Sequence, residues 1–594
     1  MPKNQKKNIK VREKIYSPYY DYSLILIFSV FIILLTSFKI TGDDDVFWHL
    51  STGRYILETG TVPSQDVFGF VTSGMEWMPF EWGWDILTYL IYKASGYTGL
   101  SIFRTLIFLL IFFIYFSIYK KFKIPLSISF IVLTILAFGI MDRLTPRPHI
   151  ISLLFFVLLL YIIIQYKYFN RENSKILFWI PVIFLFWANM HMGIIAGIFL
   201  FGIWLFSEFV IYLNPTAFSS KDIPAFKKPE LTRIALIFFA SVLIMLINPN
   251  FFDTYIYAYE HTKMKMLETI NEWRSPFDDK FGGGFVSNIY KFFLFSGILV
   301  LYYSFKKKDL FAALVFIGFA AYSIRAVRFT VDYNIIVSVF ITISIGFIIS
   351  NLKDGKLKEL FSINPIPKVI LSAILLFCII NLPNNKLYLE HLEYYRISGF
   401  GINSDFIPTQ MFDFMKQNNI QEIGERPLNH FGTGGFLIWN FPGKKNFIDS
   451  RNLNDSIFNE YSTIIGKSPG FEKKINDYNF DYAMYLAPDL VRAPQEMEQT
   501  AISYLSKSPD WNLVFWDDKS FLWVKNDPKF KSISDNFTYK YLTPYNFVYN
   551  KKVIDNAILN DKETLKKEVN RKQSEEPNSI ILNSFLQTYG GRLN

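Results

Sequence analysis

The sequence predicts an α-helical polytopic membrane protein, with about eleven transmembrane helices and a C-terminal α/β domain on the outer side. Three observations predict it. The chain has 594 residues, 51% of them hydrophobic and 63 of them Phe, with a mean hydropathy of +0.22. The apolar residues fall in blocks divided by short polar stretches, each near the length that crosses about 30 Å of hydrocarbon at 1.5 Å per residue. Beyond residue 384 the blocks stop and alternating, strand-like stretches begin.

Taken in order, the candidate spans are 22 to 40, 100 to 119, 124 to 141, 149 to 166, 175 to 189, 193 to 213, 232 to 247, 288 to 305, 309 to 324, 333 to 350 and 368 to 383. The first follows a basic tail and ends in "FKITGDDD", without a small-residue cleavage site, so it reads as a retained span. The only cysteine, Cys378, lies in the last span, which excludes an intramolecular disulfide. The net charge of +10 comes from lysines beside the spans. Those suit a charged membrane surface, so no nucleic-acid partner is expected.

Lys3, Lys6, Lys7, Lys10, Arg12 and Lys14 precede the first span, which places the N-terminus in the cytoplasm by the positive-inside rule. The loops around Lys121, Arg171, Lys227, Lys307 and Lys356 then fall inside in turn, in agreement with the tail. The expected parts are a cytoplasmic tail at 1–21, a membrane domain at 22–383 with a long first outer loop at 41–99, an exoplasmic α/β domain at 384–534 and a helical tail at 535–594. "FLIWNF", "KNFIDS" and "NLVFWDDKSFLWVK" read as strands, the last as a hairpin around Asp517 and Asp518. The stretch around Trp77, Trp82 and Trp84 reads as helix lying in the membrane interface.

The outer loops hold the unusual residues. "GDDDVFWHL" opens the first of them, and a D-x-D pair such as Asp43 and Asp45 can take a proton or hold a divalent cation. The bland alternative is that these acids cap the following helix. Arg143 and Arg147 in "MDRLTPRPH", and Arg325 and Arg328 in "SIRAVRF", carry forks that match a phosphate or carboxylate; snorkelling or pairing with acids is the competing use. His191 in "WANMHMG" is either a packed hydrogen-bond partner or a ligand. No H-E-x-x-H pattern occurs, so a metal site would need acids from separate loops. Gly432, Gly434 and Gly435 read as a tight turn into a strand rather than a phosphate loop. Asp449 and Arg451 in "FIDSR" stand near the cavity or brace one another, a mutual salt bridge being the expected use.

Together these residues resemble polytopic bacterial members of the GT-C superfamily of glycosyltransferases, in the branch that opens D-x-D-x-W-W-H-L. The pattern falls here on Asp43, Asp45, Trp48, His49, Leu50, Gly53, Ile56, Gly60, Val62, Pro63 and Asp66, with Phe47 in place of the first tryptophan. W-A-N-x-H follows at Trp187 to His191, N-P at Asn248 and Pro249, E-W-x-S-P at Glu272 to Pro276, G-G-F-L-I-W at Gly434 to Trp439 and F-I-D-x-R at Phe447 to Arg451. Met192 and Ser450 stand where the pattern has glycine, and the resemblance runs from about 40 to 525.

The resemblance implies a transferase that moves a hexose or pentose from a polyprenyl-phosphate donor to a glycan, lipid or protein acceptor at the outer face of a bacterial inner membrane, by inverting displacement. Asp43 or Asp45 would be the base, with Mg or Mn as the cation such a pair can hold. His49, Arg143, Arg147, His191, Glu272, Arg325 and Arg328 would form the substrate and phosphate set. A lipid-linked glycan ligase shares this chemistry and differs in donor. A transporter or flippase of envelope lipids is the rival from another class, and the gathering of charge at one face rather than at the bilayer midplane argues against it.

Overall fold

The computed structural model describes residues 19–41, 45–278, 284–353, 355–362, 364–451 and 453–593. Two compact units emerge, each built from two separated stretches: Met1–Ile40 with Phe80–Gly401, and Thr41–Pro79 with Ile402–Asn594.

The first unit is helical throughout its regular structure. Each apolar block of the sequence forms helix: Tyr19–Thr36, Trp82–Lys121, Leu126–Gly139, His149–Ile164, Trp179–Ala188, Ile194–Leu213, Lys228–Ile244, the pair Phe285–Ser296 and Ile298–Lys307, Leu310–Ser323, Thr330–Ser350 and Ile366–Asn381. Among the described residues, six helical segments are long and apolar enough to cross a membrane. Large side chains such as Leu26, Leu106, Phe113, Leu243 and Phe305 stay exposed on these helices. Such surface would be costly in water and is what a bilayer solvates. The chain is a multi-pass membrane protein.

The helix expected around Trp82 and Trp84 precedes the second span: Trp82–Lys121 is two helices joined at a kink, with a non-helical Gly96 between them, where φ is 60° and ψ is −158°. Only a residue without Cβ adopts that backbone readily, so Gly96 marks the break between the two parts. Trp84 is fully buried and Trp82 donates to Asn189 Oδ1 at 2.9 Å, so protein claims both rings.

The second unit carries a four-stranded sheet in the order β1-β2-β4-β3, from Pro427–Asn429, Tyr482–Leu486, Trp511–Trp516 and Ser520–Lys525. β1 and β2 are parallel; β4 is antiparallel to both its neighbours. The β3–β4 hairpin turns at Asp517 and Asp518 as the sequence predicts, with Asp517 Oδ1 accepting from the backbone of Lys519 and Ser520 at 3.0 and 2.6 Å. Helices Lys551–Asn560, Lys562–Glu575 and Ile580–Leu593 form the predicted helical tail.

Two strand assignments are corrected. "FLIWNF" lies in the helix Gly434–Asn440, whose Phe436 meets Phe47 edge to face at 4.7 Å. A short, wholly buried apolar run has no periodicity to separate helix from strand, and here the partner decides. "KNFIDS" forms no strand either. Its Asn446 backbone exchanges bonds of 2.9 Å with Phe68 O and Phe70 N, and the Asn429 side chain of β1 reaches it from the sheet, accepting from Phe447 N at 2.7 Å and donating to Ile448 O at 2.8 Å.

Candidate functional site

In the first unit, the turn Met141–Arg143 ends the Leu126–Gly139 helix, and the prolines after it hold the chain away from helix until His149. His149 Nε2 donates to Arg143 O at 2.7 Å, closing the turn. Arg143 then points its fork at Glu272 and pairs with it. The strap that bears Glu272 is pinned in its turn. Val327 N donates to Arg274 O at 2.8 Å, Ser275 Oγ donates to Ile324 O at 3.0 Å, and the Arg328 guanidinium lies 4.2 Å over the Trp273 ring. Burial pushes the Glu272 carboxyl up, but Arg143, Arg328 and Arg147 overcome it and hold the group down at about 2. Three guanidiniums therefore act on one carboxylate.

His191 belongs to the same cluster. Trp187 Nε1 donates to Ser152 Oγ at 2.6 Å, and Ser152 and the Gly193 amide face His191 Nδ1 at 2.7 and 3.0 Å. With an amide N–H directed at it, Nδ1 is the bare nitrogen. The ring proton thus sits on Nε2, 3.8 Å from Glu81 Oε1. Burial, then Arg328 and Arg143, bring the imidazole down to about 3, so it is neutral and acts as a donor. Tyr322 donates to Asp332 at 3.1 Å beside these groups.

The structure thus brings together Arg143, Arg147, His191, Glu272 and Arg328. Arg325 is exposed and takes no part in the Arg143–Glu272 ion pair. His49 belongs to the second unit, buried with its ring 3.6 Å from Trp48. Glu81, Ser152, Tyr322 and Asp332 were missed by the sequence reading. For Glu81 and Asp332 a signal existed, an acid at the mouth of a long apolar run in "PFEWGWD" and "FTVDYN". Ser152, inside a span, gave none.

Other motif residues turn out to be ties. Asn189 accepts from Trp82 Nε1 and donates to Ile247 O at 2.9 Å. Asn248 Oδ1 accepts from Asn250 N at 2.9 Å and from Thr254 Oγ1 at 2.8 Å, forming a turn that passes Pro249.

In the second unit, Asp45 begins the helix Asp45–Thr59, accepting from Trp48 Nε1 at 3.2 Å and from Ser450 Oγ. Arg54, one face along, stacks 4.7 Å over Trp439 and donates to Ile438 O at 3.0 Å. Arg451 is buried between two carboxylates, donating to Asp449 at 2.7 and 2.9 Å and to Asp66 at 2.6 Å. Burial lowers the hold of the Arg451 guanidinium on its proton, and Asp449 and Asp66 more than restore it. This is the expected Asp449–Arg451 brace, extended by a motif aspartate of the first loop. Asp43 and Asp44 lie outside the described residues. Among the described residues no three His, Cys, Asp or Glu side chains gather to hold a metal, and Asp45 already spends one oxygen on two donors. No metal site is therefore assembled from them.

With this geometry in view, solved structures resemble the chain over most of its length. The archaeal oligosaccharyltransferase AglB from Archaeoglobus fulgidus, in complex with an inhibitory peptide and a dolichol-phosphate, superposes with TM-score 0.54 at 11% identity, covering 84% of this chain and 73% of that one. The oligosaccharyltransferase of the same organism in the apo form gives 0.54 at 12%, over 86% and 75%. The chain shares the fold of these structures. No protein-family model and no curated protein matches the sequence. At such identity the likeness speaks for architecture, and residue roles rest on the geometry above.

Proposed function

We propose that this protein is a membrane glycosyltransferase that moves a sugar from a polyprenyl-phosphate donor to an acceptor on the outer face of a bacterial inner membrane, inverting the anomeric centre. The N-terminus is cytoplasmic and the C-terminal region exoplasmic in this reading. The observation that carries it is the convergence of Arg143, Arg147 and Arg328 on Glu272, beside a neutral His191, in a chain that shares the fold of an oligosaccharyltransferase.

Arginine forks hold and neutralise the lipid phosphate as it departs, while the Nε2–H of His191 donates to an oxygen of the donor. Glu272 keeps the Arg143 fork aligned before substrate arrives. Asp43 or Asp45 accepts the proton of the acceptor hydroxyl as that oxygen attacks the anomeric carbon and the phosphate leaves. A lipid-linked glycan ligase would use the same steps with a different donor, and the likeness to an oligosaccharyltransferase fold keeps that donor in the test.

Purified protein supplied with polyprenyl-phosphate sugars, and with a diphosphate-linked glycan in a parallel arm, should release sugar to acceptor. Asp→Asn at the base removes the proton acceptor and should lower turnover by roughly 10² to 10⁴. Asp44→Asn should be nearly normal. Full activity in the Asp43→Asn, Asp45→Asn double variant would sink the mechanism.

A further inference from the structure

Phe38, just beyond the Tyr19–Thr36 helix, is held between two arginines. The Arg104 guanidinium carbon lies 3.8 Å from the centre of its ring and that of Arg396 lies 3.7 Å away. Two groups so near one centroid must take opposite faces, since on one face they would overlap. Both are buried, at 0% and 4% exposure.

Some of their donors have a use. Arg104 Nη2 donates to Phe38 O at 2.7 Å and Arg396 Nη2 donates to Met141 O at 2.9 Å, each a carbonyl just past a helix C-terminus. The ring accounts for the stacking. Neither explains the rest. Arg104 Nε and Nη1 and Arg396 Nη1 are buried and find no hydrogen-bond partner among the described residues. Nor does either arginine form an ion pair with a described carboxylate. Two buried like charges with unfilled donors cost several hydrogen bonds and a desolvation each, unless an anion joins them.

The depth of the pair says what kind of anion. Phe38 follows one membrane helix, Met141 follows the Leu126–Gly139 helix, and Ser398, two residues past Arg396, donates to Leu382 O at 2.6 Å just beyond Ile366–Asn381, so three helix ends meet here. That is the level at which lipid phosphates lie. A phosphate also offers the several oxygens that two planar forks require. We propose that Arg104 and Arg396 form a binding site for the phosphate group of a membrane lipid, separate from the Arg143–Glu272 cluster. The inference requires no turnover and stands whether or not the proposed transfer is correct.

The test is binding to the full-length, delipidated protein, read by native mass spectrometry and thermal shift, with three probes: inorganic phosphate, phosphatidylglycerol and undecaprenyl phosphate. Retention of either lipid with a rise in Tm is expected. Arg104→Lys and Arg396→Lys keep the charge and lose the fork, so each should weaken the lipid on the order of tenfold. The Arg104→Met, Arg396→Met double variant should lose it. Response to both lipids identifies a general headgroup site; response to undecaprenyl phosphate alone identifies the carrier lipid. Three results would overturn the proposal. One is no lipid response, or a response to inorganic phosphate alone, in the wild type. The second is a double Met variant that keeps the lipid and melts higher, the mark of an empty repulsive pair. The third is loss of the lipid in Arg143→Lys with none in the Lys variants at 104 and 396.

Discussion

Arg451 is a single side chain on which two carboxylates depend. Its Nε and Nη2 serve Asp449, its Nη1 serves Asp66, and Trp77 covers its face at 4.6 Å. Asp66 is also held by the Phe68 and Gly69 amides at 3.0 Å, and Arg451, the Thr72 hydroxyl and the Phe68 amide more than offset the rise that burial imposes on its carboxyl. Removing the cation leaves two buried acids without a counter-charge, and breaking such a pair costs about 3–5 kcal/mol. Arg451→Met should therefore lower the unfolding free energy by about that amount, read from denaturant unfolding followed by tryptophan fluorescence. Arg451→Lys, which can still reach one acid, should lose less. The Asp449–Arg451 pairing was legible because opposite charges two residues apart end an apolar run. Its third member was not, since Asp66 lies 385 residues away and no local pattern spans that interval.

At the scale of the element, the helix Gly434–Asn440 shows why a glycine motif need not be a phosphate loop. A Cβ on Gly434 would stand 2.1 Å from Ile448 O and 2.7 Å from Asp449 Cβ. The glycine is there so that the helix can lie against the F-I-D-x-R segment. Gly434→Ala must push backbone apart and should cost about 1–3 kcal/mol. Gly590, inside the helix Ile580–Leu593, has nothing within 4 Å of such a carbon. Gly590→Ala should shift stability the other way, by about 0.4–1 kcal/mol, through the entropy of the unfolded chain. Paired thermal melts check both signs. The β3–β4 hairpin was legible because its two runs flank turn-forming aspartates. The helix at 434 was not, because four consecutive apolar residues fit either element until their neighbour is known.

At the scale of the whole molecule, each unit holds a partly buried histidine that must stay neutral. His191 is brought down to about 3, and burial brings His430 down to about 4. In the unfolded chain both take up a proton near the ordinary value of 6.5. The stability they allow is complete above about 6.5 and falls as pH drops toward 4, because only the unfolded state binds the extra protons. Glu272 works in a lower window: its contribution is present above its ordinary value of 4.5 and is lost as pH falls through about 2. A falling Tm between pH 7 and pH 4.5 should therefore trace to the histidines, and His430→Asn should flatten it; an unchanged slope would assign the loss elsewhere. The membrane spans and the Arg143 cluster's motif residues were legible from composition and loop chemistry, whereas the partners that orient them, Ser152 and Glu81, depended on packing between distant helices. The junction of Asp66 with Arg451 also sets a timetable for synthesis. At about 5–20 residues per second, the ribosome needs roughly 20–80 seconds to travel from one to the other. Throughout that interval the loop at 41–79 has left the first helix but lacks the segment that completes its core. It must wait, with Phe70 and Val71 uncovered, for the last third of the chain to be made, which marks it as the stretch of the nascent protein most in need of a chaperone.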